Sequence, residues 1–223
     1  MSNPLAGEID QLGRDAGRLG ICLSPRQLRL LGIYLDVLWE WSRKMNLIGA
    51  STRARVLEEL ILDSLVPHAH LPDARRLLDV GTGAGFPGIP LKICRPRMVL
   101  HLVESNSKKV SFLREVIRRT RLEEVDIFHG RMERVFTPAK KPGYPLVTAR
   151  AVAPLGKMVS WCAPMLARGG LLVAFQGETV DAALNEARKE IDGRRLSVER
   201  IIPYTLPRKK GRRHILLLRR QGE

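Results

Sequence analysis

Cysteine is scarce in this chain and poorly placed for chemistry. The 223 residues hold three, Cys22, Cys94 and Cys162. An odd, widely spaced set matches neither a zinc spacing nor a disulfide framework and fits a reducing compartment, so a cytoplasmic location is expected. Aromatic residues make up 5%, too few to suggest a stacking platform for single strands. No apolar run approaches the ~20 residues that span a bilayer. The opening Met1-Ser2-Asn3-Pro4-Leu5-Ala6-Gly7-Glu8 has neither a basic head nor an apolar core, so no signal peptide is expected. Acidic residues are also in short supply: 23 Asp and Glu face 38 Lys and Arg, giving a net charge of +15. That imbalance calls for an anionic partner, nucleic acid or a membrane surface.

Hydrophobic residues, by contrast, are present at an ordinary 44%, enough to bury a real core. The length suits one α/β domain plus an appendage. The most informative stretch is Leu77-Leu78-Asp79-Val80-Gly81-Thr82-Gly83-Ala84-Gly85-Phe86-Pro87-Gly88. It reads as a buried parallel strand, a glycine-rich turn and a helix start. Gly81, Gly83 and Gly85 let the backbone bend sharply and approach a ligand, while Pro87 and Pro90 suit a first helical turn. Gly83-x-Gly85-x-x-Gly88 formally matches the dinucleotide fingerprint, but a lone match is weak. Asp79 argues for a different ligand: a carboxylate there would repel a pyrophosphate and suits the sulfonium and ammonium groups of S-adenosylmethionine. Residues 98–104 read as a second strand ending in Glu104, about 20 residues past the turn, the spacing at which an acid meets ribose hydroxyls.

The rest of the chain falls into order around this turn. Residues 4–18 read as a short helix. Ser24-Pro25 caps a second helix reaching about residue 44, with Leu28, Leu31, Leu35, Leu38 and Trp39 at helical spacing. A third helix is expected over 53–62. His68 and His70 read as surface residues of a linker. Residues 1–70 are expected to form a helical N-terminal appendage, and 71–223 the α/β domain. Helices are expected at 88–94, 108–119, 155–166 (ended by Gly169-Gly170) and 180–191. Strands are expected at 125–128, 145–148 and 171–175, followed by an antiparallel pair at 195–204 and 214–219. The alternation predicts an α/β fold with a doubly wound sheet. Basic residues gather on the helix over 108–119 (Lys108, Lys109, Arg114, Arg118, Arg119) and in the tail (Arg208, Lys209, Lys210, Arg212, Arg213, Arg219, Arg220). Two clusters on so basic a chain raise the odds of a phosphate-binding surface.

The string Asp79-Val80-Gly81-Thr82-Gly83-Ala84-Gly85-Phe86-Pro87-Gly88-Ile89-Pro90-Leu91 resembles the signature of the 16S ribosomal RNA guanine-N7 methyltransferase G family, once called glucose-inhibited division protein B. Asn46-Leu47 after a Trp-bearing helix, Leu62-Asp63-Ser64-Leu65 and Val147-Thr148-Ala149-Arg150-Ala151 fall in the family's order. The resemblance runs from about residue 25 to the end. It implies a class I methyltransferase fold (Rossmann-like), S-adenosylmethionine as cofactor, and methylation of N7 of guanine 527 in the 530 loop of 16S RNA. By position it implies cofactor contacts at Gly81 and Phe86 in the loop, Glu104, Ser105 and Asn106 beside the ribose, Met132 and Glu133 beside the adenine, and Arg150 after the fourth strand. The chain departs from the family where a His often precedes the Leu-Asp-Ser-Leu block, here Leu60-Ile61, and where a Lys often ends the fifth strand, here Gln176.

Guanine N7 carries an in-plane lone pair and no proton, so its attack needs no general base, and none is found. What remains is in-line positioning and exclusion of water. Donors useful to catalysis would contact O6, the neighbouring acceptor. Arg150 is the candidate by position, with Lys44 and Asn46 behind it; a cofactor-side or structural arginine is the alternative. Lys44, Lys209, Lys210, Arg212 and Arg213 are the expected RNA contacts. The expected partner is 16S ribosomal RNA or the small ribosomal subunit, for a monomer with no metal and no membrane association. Two other readings stay open: a methyltransferase acting on a small molecule or protein, and a non-catalytic RNA-binding protein with a vestigial cofactor fold.

Overall fold

A computed structural model describes residues 4–45, 47–49, 52–136 and 143–222. Two helices lead, α1 (Pro4–Arg18) and α2 (Pro25–Ser42). Ser24 caps α2 in a full capping box with Gln27, and Pro25 occupies the first helical position, where no amide donor is missed. The expected third helix is longer and less regular than its periodicity suggests. It runs as α3 (Arg53–Val56), a π-helical stretch (Leu57–Leu62), α4 (Asp63–Leu65) and a 3₁₀ turn (Val66–His70). A π stretch widens the helix by one residue per turn and often marks a functional site. His68 is tied down rather than loose: Arg95 donates to its ring and its carbonyl.

Strands and helices then alternate: β1 (Arg76–Val80), α5 (Gly88–Cys94), β2 (Val99–Glu104), α6 (Ser107–Thr120), β3 (Val125–His129), α7 (Met132–Val135), β4 (Tyr144–Ala149), α8 (Leu155–Cys162), β5 (Leu166–Gln176) and α9 (Val180–Gly193). The chain closes with β6 (Leu196–Tyr204) and β7 (Arg213–Arg220). The seven strands lie in the order β3-β2-β1-β4-β5-β7-β6. All pairs from β3 to β5 are parallel, and β7 runs antiparallel to both neighbours. The order reverses between β1 and β4, which opens a crevice beyond their carboxyl ends, where ligands of such sheets bind.

One expectation is overturned. Gly169-Gly170 does not end a helix but lies inside β5. Helix α8 stops at Cys162, a 3₁₀ turn covers Ala163–Met165, and the strand bulges between its pairings Tyr144↔Leu166 and Leu146↔Leu171. A side chain on Gly170 would lie 2.8 Å from the Tyr144 carbonyl oxygen, so glycine here serves a bulge, its other common use. Packing divides between the two sheet faces. On one, Leu31, Leu35 and Leu38 of α2 and Ile61 and Leu65 of the third helical stretch share a buried cluster with Leu77, Leu100, Leu146 and Leu217 of the sheet. On the other, Met158, Val159 and Ile191 of α8 and α9 cover Leu78, Val147, Leu172 and Leu218. Successive residues of β1 thus feed opposite faces, as period-two alternation requires.

Candidate functional site

At the carboxyl ends of β1, β2 and β4 lies a cavity of about 770 Å³. The turn after β1 forms its floor. Gly81 adopts φ +65, and a Cβ there would sit 2.5 Å from Cγ1 of Val152; a side chain is excluded by both strain and space. Asp79 organises the turn from below. Its carboxylate is fully buried and accepts from Thr82 Oγ1 (2.6 Å), the Gly88 amide (3.0 Å) and Thr148 Oγ1 (2.8 Å). Burial pushes its pKa up to about 6, against the pull of these three hydrogen bonds and of Arg150. Asp79 therefore does not line the cavity: it holds the glycine turn against β4, a role its charge in the sequence did not reveal. Tyr34 of α2 braces the turn from the other side, its hydroxyl donating to the Ala84 carbonyl.

Glu104 ends β2 at the cavity wall and is 6% exposed. Oε2 accepts from the Gly83 amide (2.9 Å) and Oε1 from the Asn106 amide (2.7 Å). An ionised carboxylate has about four acceptor sites, so Glu104 is oriented by two backbone donors and keeps capacity for ligand hydroxyls. Gly83, Phe86, Ser105, Met132 and Glu133 also line the cavity; Gly85 and Asn106 lie outside the lining. Asn106 instead caps α6, its side chain accepting from the amides of Lys108 and Lys109.

Arg150 is at the wall but its fork is occupied. Nη1 donates to the Leu60 carbonyl (3.2 Å) and Ser64 Oγ (3.1 Å), and Nη2 reaches the Glu59 carbonyl and Asp63 Oδ2 (3.1 Å). Its guanidinium carbon lies within 6 Å of the ring centres of Phe86 and Phe175, close enough for cation–π attraction. The π stretch turns two carbonyls outward, and Arg150 satisfies them, pinning that stretch to the end of β4. Asn46 lies outside the described residues, and Lys44 is exposed and outside the lining.

The tail cations separate into two kinds. Lys209 pairs with Glu59 (2.7 Å) and Arg213 with Asp63 (3.1 Å), while Lys210 and Arg212 are exposed. Several further residues line the cavity without a mark in the sequence: Ile48 and Gly49 beside Leu47, Arg131, and Lys157, which lies over the Trp161 ring; Lys109 lines it too. Lys109 had appeared in a basic cluster, but nothing in the sequence marked it as facing inward. Among the described residues no group of His, Cys, Asp and Glu could hold a metal ion, and no helix is long and apolar enough to cross a membrane. Cys94 and Cys162 are buried, and burial raises both thiols.

The arrangement is a roomy, partly apolar crevice with a fixed carboxylate at the β2 end and a glycine turn that brings bare backbone to the ligand. Residues 27–216 match the model of the family described as rRNA small subunit methyltransferase G. The ribosomal RNA small subunit methyltransferase G of Bacillus subtilis (strain 168) is 33% identical over 216 residues, which cover 95% of this chain and 90% of the relative. That of Pelotomaculum thermopropionicum is 38% identical over 214 residues, 93% and 88% of the two chains. Among solved structures, the O-methyltransferase of Bacillus cereus in complex with SAH superposes with a TM-score of 0.60 at 15% identity, over 84% of this chain and 90% of that one. The O-methyltransferase TomG of Streptomyces achromogenes, in complex with SAM, gives 0.59 at 16% identity, over 85% and 90%. These likenesses establish the class I methyltransferase fold. The family match spans most of the sequence and the relatives nearly all of it, and the chain belongs to the rRNA small subunit methyltransferase G family.

Proposed function

We propose that this chain transfers the methyl group of S-adenosylmethionine to N7 of a guanine, guanine 527 in the 530 loop of 16S ribosomal RNA. The family is one of S-adenosylmethionine-dependent methyltransferases acting on small-subunit ribosomal RNA. The observation that carries the reading is Glu104. It is oriented by two backbone amides at the switch point of the sheet and keeps acceptor capacity where a ribose would lie. The cofactor fits the residues present. Glu104 would hold the ribose hydroxyls, Gly81 and Gly83 would let the backbone approach, and Met132 and Glu133 would flank the adenine. When bound, it supplies an electrophilic methyl group. The chain's own residues supply position: Asp79 fixes the turn, Tyr34 braces it, and Arg150 ties the π stretch to β4 so that the wall is rigid. No side chain has to take a proton, because N7 carries none.

The net charge of +15 favours an RNA substrate over a small molecule. We assign residues 71–223 to the methyltransferase unit and 1–70 to a helical appendage that closes one side of it. The enzyme acts as a monomer in the cytoplasm. The test is transfer of tritiated methyl groups to small subunits isolated from cells lacking this protein, followed by nucleoside analysis. Label in 7-methylguanosine at position 527 is expected. Label in any other nucleoside, or none, would overturn the reading.

A further inference from the structure

Beside the cofactor cavity lies a second one, of about 370 Å³, which shares Arg150 and Ala151 with it. Ala151 has a small side chain and a left-handed backbone, φ +51, a conformation costly for alanine that concentrates at functional sites. The far wall comes from the end of β5 and the loop before β7, with Phe175, Gln176, Glu178 and Arg212 among its residues. Strand order supplies a direction. The first cavity stands over β2, β1 and β4; the second reaches over β5 and β7, one and two strands further on, roughly 5 and 10 Å at the spacing of neighbouring strands.

Two carboxylates line the second cavity, and they differ. Asp63 is 1% exposed and engaged by Tyr204 Oη (2.7 Å), Arg213 (3.1 Å) and Arg150 (3.1 Å). Glu178 is exposed, yet it is placed: Oε1 accepts from the Arg212 amide (3.2 Å), and a Cβ on Gly211 would lie 2.6 Å from that same oxygen. Among the described residues no hydrogen bond or ion pair engages its Oε2. Gln176 beside it offers an amide with both donor and acceptor.

We propose that this second cavity receives the extruded target guanine, with Glu178 and Gln176 reading its Watson–Crick edge. The assignment rests on guanine N7 as the methyl acceptor. N7 lies on the opposite side of the purine from N1 and N2. A base whose N7 faces the shared wall at Ala151 presents N1–H and the N2 amine to the far wall. There the Glu178 carboxylate accepts from both, and the Gln176 amide donates to O6. Adenine would set the N1 lone pair against the carboxylate and offers no donor at C2, so it is rejected. Enzymes acting on extruded bases commonly recognise them along this edge. In the transfer the N7 lone pair forms the new N–C bond, and the electron pair of the S–CH₃ bond returns to sulfur. The positive charge passes from sulfur to the base and no proton moves. A carboxylate on the base favours that shift of charge.

Small subunits reconstituted with 16S RNA carrying either guanosine or inosine at the target position test this, since inosine lacks the N2 amine. Wild-type enzyme is expected to prefer guanosine by about tenfold in single-turnover transfer. Glu178→Gln keeps an acceptor for the Arg212 amide but loses the paired acceptors. It is expected to slow transfer to guanosine by about ten- to a hundredfold and to abolish the preference over inosine. Calorimetric affinity for S-adenosylmethionine should not change. Gln176→Leu should slow both substrates alike. If Glu178→Gln keeps the wild-type preference, or if wild-type enzyme itself does not distinguish the two bases, the assignment is overturned while N7 methylation stands. If wild-type enzyme leaves N7 of guanosine unmethylated, both fall together.

Discussion

At the scale of single residues, the cofactor turn works through positions that tolerate no substitution for reasons that differ. A side chain on Gly81 collides with Val152, and one on Gly85 lies 2.7 Å from Cγ1 of Ile89 with φ at +94. Gly81→Asp and Gly85→Val are expected to abolish S-adenosylmethionine binding in titration calorimetry. Glu104→Ala removes the acceptor for two backbone amides as well as for the ligand. It should weaken the cofactor by roughly 1–3 kcal/mol, and unchanged affinity would remove Glu104 from the site. Asp79 leaves a signature in the pH dependence of stability. Its folded pKa of about 6 lies above the ordinary 3.8, so the folded state keeps a proton that the unfolded chain has already released. Stability from this group is therefore full below pH 4 and falls as pH rises to about 6, by about 3 kcal/mol. The difference in urea unfolding free energy between wild type and Asp79→Asn should drift by that amount across the same window and be flat above it.

At the scale of elements, the π stretch, the end of β4 and the β6–β7 hairpin are bound into one wall by Arg150 and Asp63. Arg150→Lys trades a planar fork for a point charge and cannot reach the Leu60 carbonyl, Ser64 and Asp63 together. An unfolding loss of about 1–3 kcal/mol is expected, together with slower methyl transfer. Because no base is required, the single-turnover rate should stay level between about pH 6 and 9 in both proteins, a range in which a catalytic His would titrate. A tenfold rise per pH unit would reveal a base. The same wall sorts the tail cations. Lys210→Ala and Arg212→Ala should each reduce the slope of log RNA affinity against log salt by about 0.7–0.9. Lys209→Ala and Arg213→Ala remove internal ion pairs and should act first on stability. Equal slopes for all four variants would contradict that division.

At the scale of the whole molecule, the helices before β1 are not a loosely attached cap. Tyr34, Leu35 and Leu38 lie in the same buried cluster as Leu77, Leu146 and Leu217, which span the sheet. Shared burial of this kind makes unfolding cooperative. Trp39 and Trp41 report on α2, while Trp161 reports on α8 across the sheet. Urea transitions followed by each tryptophan in double Trp→Phe variants should coincide with the one followed by circular dichroism. Separate midpoints would show that residues 1–70 unfold by themselves.

Much of this was legible in the residues alone, because it rests on local rules. The strand–turn–helix around Gly81, the acid ending β2 and the capped start of α2 each follow from backbone preferences that need no partner. So does the alternation that makes the sheet doubly wound. What stayed hidden depends on which distant groups meet. Asp79 looks like a ligand to a cation by sequence and is a buried strut in the fold, since its three donors include Thr148, 69 residues away. Arg150 matches a binding-site arginine by position, and only the fold shows its guanidinium bonded to the Glu59 and Leu60 carbonyls of a π stretch that no periodicity announces and to Ser64 of α4. Gly169-Gly170 reads as a helix stop and serves a bulge, because the partner that crowds it is Tyr144 on the neighbouring strand. Glu178 carries no motif, and Gln176 stands out in the sequence only as a departure from the Lys that often ends the fifth strand in the family. Their place at the second cavity comes from β7 folding back antiparallel beside β5, a long-range pairing whose register is set by tertiary packing.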